Sequence, residues 1–205
     1  MRLISVLVIV LTQLSVGTLL TTSVLPPRAI LPSFFQLNSL VSALSAAVAL
    51  VLCKWLLAWA WTDVRFLGLT VIGATAAWGC FRLEKPVIGQ LLLIVSGILG
   101  LLFGLLPLVH RALIERGIQT QAGWMFDASM LAGMLLLGAT HVGMVLGHWY
   151  LLMRRLSFVY LERFAKLLFG AVLLRILVFA LMFGTMSKED PELASTFISN
   201  LLAWH

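Results

Sequence analysis

Apolar residues run almost without interruption along this chain, in blocks of about twenty separated by short clusters of prolines, charges and tryptophans. A continuous run of that length is what an α-helix needs to cross a hydrocarbon layer about 30 Å thick. A transmembrane β-barrel would instead alternate apolar and polar positions in segments of about ten residues. The pattern therefore predicts an all-α, polytopic integral membrane helical bundle. About six transmembrane helices are expected, over residues 3–25, 34–53, 66–81, 86–108, 128–153 and 167–186, with a C-terminal tail at 187–205. We read residues 1–205 as a single transmembrane domain with short loops.

The breaks between runs have identifiable causes. Pro26, Pro27 and Pro32 interrupt the first connection, because proline lacks an amide hydrogen and restricts the residue before it. In KWLLAWAWTDVR, Trp55, Trp59 and Trp61 stand beside Lys54, Asp63 and Arg65, the composition of a headgroup region, so an interfacial turn or short surface helix is expected. The first run begins after Arg2 like a signal peptide, but it continues to Leu25 and lacks a small-residue cleavage pattern, so it is read as a span. The third run is the shortest, closed by Arg65 and by Arg82 and Lys85. It fits a membrane through snorkelling and local thinning.

Within the runs, small and weakly polar residues recur at helical spacing. Gln13 and Gly17 are four apart. Asn38, Ser42, Ser45, Ala49 and Cys53 form one stripe, Gly73 and Ala77 a small pair, and Gly89, Gly97, Gly100 and Gly104 another stripe. In lipid such stripes let helices approach closely and hydrogen-bond to one another. The glycines are packing chemistry and not a nucleotide loop, which would need a preceding strand.

Composition supports the class. The 205 residues are 61% hydrophobic and 11% charged, and mean hydropathy is +1.08, far from the balance of a soluble domain. The net charge of +6 is read as basic residues flanking spans, not as a nucleic-acid footprint. With six spans, one face carries Arg28, Arg82, Lys85, Arg154, Arg155, Arg163 and Lys166. The other carries Arg2, Lys54, Arg65, Arg111, Arg116 and Lys188. Seven against six hardly separates them. The clustering near Arg154 favours that face as cytoplasmic, in a bacterial-type inner or plasma membrane. Cys53 and Cys80 have neither disulfide nor metal spacing.

Candidate chemistry is confined to the fifth and sixth spans. His141 and His148, seven apart in GATHVGMVLGHWYLLMRR, share a helix face about 10 Å apart along the axis. Arg175 lies inside the sixth span, where a charge is expensive and needs a partner. Counting inward from the basic turn, nine residues from Lys166 to Arg175 against six and thirteen from Arg154 to the histidines, the arginine is expected between them in depth.

Three roles fit His141, His148 and Arg175. In one, Arg175 bonds carbonyls, hydroxyls or a lipid phosphate, His148 joins Trp149 and Tyr150 in an aromatic belt, and His141 makes an interhelical bond. In another they are a cofactor-binding cluster, contacting a b-type haem or a quinone with Arg175 on a propionate or quinone oxygen. Since both histidines share one span, they cannot ligate one iron together, so the quinone or a partner subunit fits better. In the third, the histidines carry protons in a small proton-coupled transporter or channel. His110, at a span boundary, would be exposed or capping.

No HExxH, GxSxG or carboxylate pair lies in a span, so no catalytic residue is assigned and enzymatic chemistry is not the expected role. The expected function is a structural or accessory integral membrane subunit of a larger complex, such as an electron-transfer assembly. Its partners would be membrane lipids and other membrane protein subunits.

Overall fold

The computed structural model describes residues 2–57, 61–107, 123–152 and 158–189. Six helical spans follow in order: α1 (Arg2–Ser23), α2 (Pro32–Trp55), α3 (Trp61–Arg82), α4 (Pro86–Leu99) continued by a π-helical turn (Gly100–Leu105), α5 (Gly123–Leu152) and α6 (Phe158–Glu189). All six are long and apolar enough to cross a membrane, and no strand occurs among the described residues. The chain is therefore an all-α, multi-pass membrane protein, with lipid as the natural solvent of its outer faces. His110, Arg154, Arg155 and the amphipathic part of the tail lie outside the described residues.

Helix boundaries follow local chemistry. Pro32 and Pro86 occupy the first turns of α2 and α4, where the missing amide hydrogen costs nothing. Between α3 and α4 the chain reverses through Leu83 and Glu84. The Lys85 amide donates to the Cys80 carbonyl at 2.9 Å, and Glu84 takes φ 56°, the left-handed conformation that ends many helices. The third run is longer than its charges suggest: α3 begins at Trp61, so Arg65 is on the helix, and Arg65 and Arg82 lie over the rings of Phe66 and Trp78. Their guanidinium groups thus extend the span by covering aromatic faces.

The small-residue stripes close the bundle around α1, which packs on α2, α4, the π-turn and α5. On the α2 side, the Ser15 and Ser42 hydroxyls bond at 2.9 Å, and Ser42 also donates to the Ser15 carbonyl at 3.0 Å. On the α5 side Gly17 meets Gly138 backbone to backbone; a Cβ on either residue would collide with the facing helix. On the α4 side Gly97 receives Leu20, and Gly100 receives Val16 and Thr70. Gln90 of α4 closes the end of α1 by donating to the Ser23 carbonyl at 2.8 Å. The main core layer joins Leu19, Phe34, Phe35, Phe81, Leu93, Val142 and Leu146, with Phe35 stacked on Phe81 at 4.8 Å.

Helix α6 is different. Only 6% of its membrane window is buried, against 33–44% in the other five, and its principal contact is with α5.

Candidate functional site

Helix α5 presents three faces. Gly138, Val142 and Val145 point into the bundle and are buried. A second face meets α6: Phe164 fills the notch left by Gly143, and Tyr150 meets Phe158 edge-on at 6.4 Å. His141 and His148 lie on a third flank, with Met144 between them 70% exposed.

His148 is exposed. It is followed by Trp149, whose ring meets Phe34 at 6.0 Å, so the aromatic residues beside it act as packing groups while the imidazole faces outward. His141 is half-buried. Its Nε2 is buried and has no hydrogen-bond partner among the described residues.

Arg175 does not join them. Its Nη1 donates to the Ser129 carbonyl at 2.6 Å and to the Ser129 hydroxyl at 2.7 Å. Ser129 is twelve residues from His141 and nineteen from His148, about 18 and 28 Å along the helix axis. The expectation that Arg175 lies between the histidines in depth is therefore overturned.

The reason is where α6 begins. The charges of LERFAK invite a loop, yet α6 already begins at Phe158. Glu162 and Lys166 then sit one helical turn apart and form an ion pair at 2.7 Å, a pairing that favours helix. Starting nine residues before the expected span, α6 carries Arg175 about 25 Å from its first residue.

The arginine belongs instead to a polar knot of three helices. Gln13 of α1 donates to the Met130 carbonyl at 3.2 Å. A Cβ at Gly133 would stand 3.2 Å from Gln13 Nε2 and 3.7 Å from Arg175 Nη1. Two side-chain donors thus approach one glycine notch from opposite neighbours. The carbonyl and hydroxyl of Ser129 satisfy part of the guanidinium, which is how a cation inside a span is held. Ser129 and Gly133 were not assigned from the sequence; their four-residue spacing on α5 was the signal that could have found them. Asp127 was also placed outside the spans, because the fifth was expected from residue 128. It lies half-buried within the candidate span Phe126–Leu151.

Among the described residues no group of three or more His, Cys, Asp or Glu side chains could hold a metal ion. Compared with protein-family models, with characterised proteins and with solved structures, the chain matches none.

Proposed function

We propose that this protein is an integral membrane subunit of a larger membrane assembly, with a structural or accessory role. The observation that carries the proposal is the asymmetry of α6. A 32-residue helix is attached to the bundle mainly by one neighbour, with Phe169, Leu173, Ile176 and Leu177 exposed along it. Lipid satisfies such a face, and so does a helix of another subunit, to which α6 offers a long, nearly unobstructed side. The electron-transfer version of this role places a quinone or a neighbour's b-type haem against the outward flank of α5. His148 supplies an exposed imidazole there and His141 a half-buried one, while Arg175 holds α6 in place. We place the protein in a bacterial-type inner or plasma membrane.

The test is site-specific photo-crosslinking in native membranes. A photoreactive residue at Phe169 or Leu177 should give a discrete adduct with one other membrane protein. The same probe at Leu44, exposed on α2, should give lipid adducts alone. Lipid adducts at all three positions would remove the assembly role. For the redox version, the purified assembly should show a Soret band, or retain quinone, that His141→Ala removes.

A second reading, a small proton-coupled transporter or channel, is favoured by one observation: the Nε2 of His141, buried within a span and without a hydrogen-bond partner among the described residues. Proton-coupled flux in reconstituted vesicles that is lost in His141→Ala but kept in His148→Ala would select it over the accessory role.

A further inference from the structure

Threonine inside a transmembrane helix normally returns its hydroxyl proton to the carbonyl one turn back. Thr12, Thr21, Thr70, Thr75 and Thr140 do so here at 2.6–3.0 Å, and Thr185 does so at 3.2 Å. Thr18 and Thr22 are fully buried, and their hydroxyls have no partner among the described residues. Both forgo an acceptor available on their own helix. Asn38, equally buried, donates its amide to the Phe34 carbonyl at 2.8 Å, but its Oδ1 has no donor among the described residues.

Helix registers bring these atoms to one depth. Ser15 bonds Ser42 across the antiparallel α1 and α2, so Asn38, four residues before Ser42, stands level with Leu19. Thr18 and Thr22 follow Ser15 by three and seven residues, which keeps them on the α2-facing side. Gly17 touches Gly138 across the parallel α1 and α5, so His141 stands level with Leu20. Thr18 Oγ1, Thr22 Oγ1, Asn38 Oδ1 and His141 Nε2 therefore fall within about 6 Å of depth, around the junction of α1, α2 and α5.

An isolated orphan of this kind costs about 1–3 kcal/mol. Several at one level call for a shared ligand that both donates and accepts. The surroundings restrict its size: Leu19, Phe34, Ala139 and Val142, at or near the same level, are fully buried apolar residues. The geometry points to a buried hydration site in this layer, in which one or more ordered water molecules bridge Thr18, Thr22 and Asn38, with His141 Nε2 at the edge of the same network. Such water accepts hydrogen bonds from the threonine hydroxyls and donates hydrogen bonds to Asn38 Oδ1 and the imidazole nitrogen. Two to four such bonds are what hold a buried water. The site lies about 9 Å along α2 from Pro32, towards the membrane face that carries the α1–α2 connection.

Water-edited solid-state NMR on the unmodified protein in bilayers, with 13C-labelled threonine, tests this directly. Thr12 is the internal control, being fully buried on the same helix with its hydroxyl already bonded. The side-chain signals of Thr18 and Thr22 should receive magnetisation from water well before that of Thr12. Transfer as slow as at Thr12 overturns the proposal. A second measurement uses the isosteric Thr18→Val, Thr22→Val and the double variant. If the hydroxyls share water, each single change lowers Tm by about 2–4 °C, and the double change lowers it by less than the sum. If they are dry orphans, valine removes a penalty and Tm rises additively, which also overturns it. Should the variants not fold, the NMR comparison on the unmodified chain decides.

Discussion

Helices α1 and α6 are both long, apolar and free of acidic residues over most of their length, yet they are held in opposite ways. The first is surrounded: Gly17 lies on Gly138, Ser15 bonds Ser42, Leu20 fills the space at Gly97, and Gln13 reaches Met130. The sixth has one principal neighbour, α5, which it meets through Phe164 at Gly143 and Arg175 at Ser129 among other contacts. In water, burying more leucine would separate the two. In lipid it does not, because an apolar side chain gains little by leaving hydrocarbon for protein. Close backbone approach and interhelical hydrogen bonds distinguish an inner helix from an outer one, and α1 has small and hydroxyl residues where α6 has Leu, Val, Ile and Phe.

The sharpest way to break this contrast is a bulky residue at the α1–α5 contact. Gly138→Leu should destabilise the protein by about 3 kcal/mol or more, since backbone faces its Cβ and cannot yield. Gly170→Leu on α6, where a Cβ meets nothing within 4 Å, should leave thermal unfolding in detergent unchanged. Equal effects would mean that α6 is as enclosed as α1.

Arg175→Leu comes next. It removes two charge-assisted bonds to Ser129, worth about 1.5–3 kcal/mol each in a soluble protein, and relieves an insertion cost of about 2.5–3.5 kcal/mol. The two partly offset each other in stability, so the clearer effect should be lost position. Distances between spin labels at Thr140 and Phe169, both exposed, should broaden in Arg175→Leu and only partly in Arg175→Lys. An unchanged distribution would show that packing alone seats α6.

Ser42→Ala should cost about 1 kcal/mol, the usual net value of a buried hydrogen bond, read as a lowered unfolding temperature. Smallest is Leu177→Ala on the outer face of α6, within about 0.5 kcal/mol in purified, isolated protein. A larger loss seen only in native membranes would place a protein surface, and not lipid, against that residue.

Much of this architecture is written in residue order. Runs of about twenty apolar residues demand helices, because backbone groups in hydrocarbon must be bonded within their own segment. Prolines, tryptophans and arginines then mark the connections. The stripes of Gln13 with Gly17, of Asn38 to Cys53 and of the α4 glycines were legible as packing faces for the same reason: small residues in lipid have little other use. Span ends were less legible, since charged residues such as Arg65, Glu162 and Lys166 remain helical when they snorkel or pair one turn apart.

What the sequence could not decide is which faces meet. His141, His148 and Arg175 were equally plausible neighbours by counting, and an α6 that begins nine residues before the expected span carried the arginine to Ser129. That Thr18 and Thr22 turn from their own helix carbonyls while Thr12 and Thr21 do not is likewise invisible in the residue string. Local sequence determines that a segment is a lipid-soluble helix. Register across helices, set by contacts such as Gly17 on Gly138 and Ser15 on Ser42, decides which polar atoms share a depth, and only the assembled bundle contains that information.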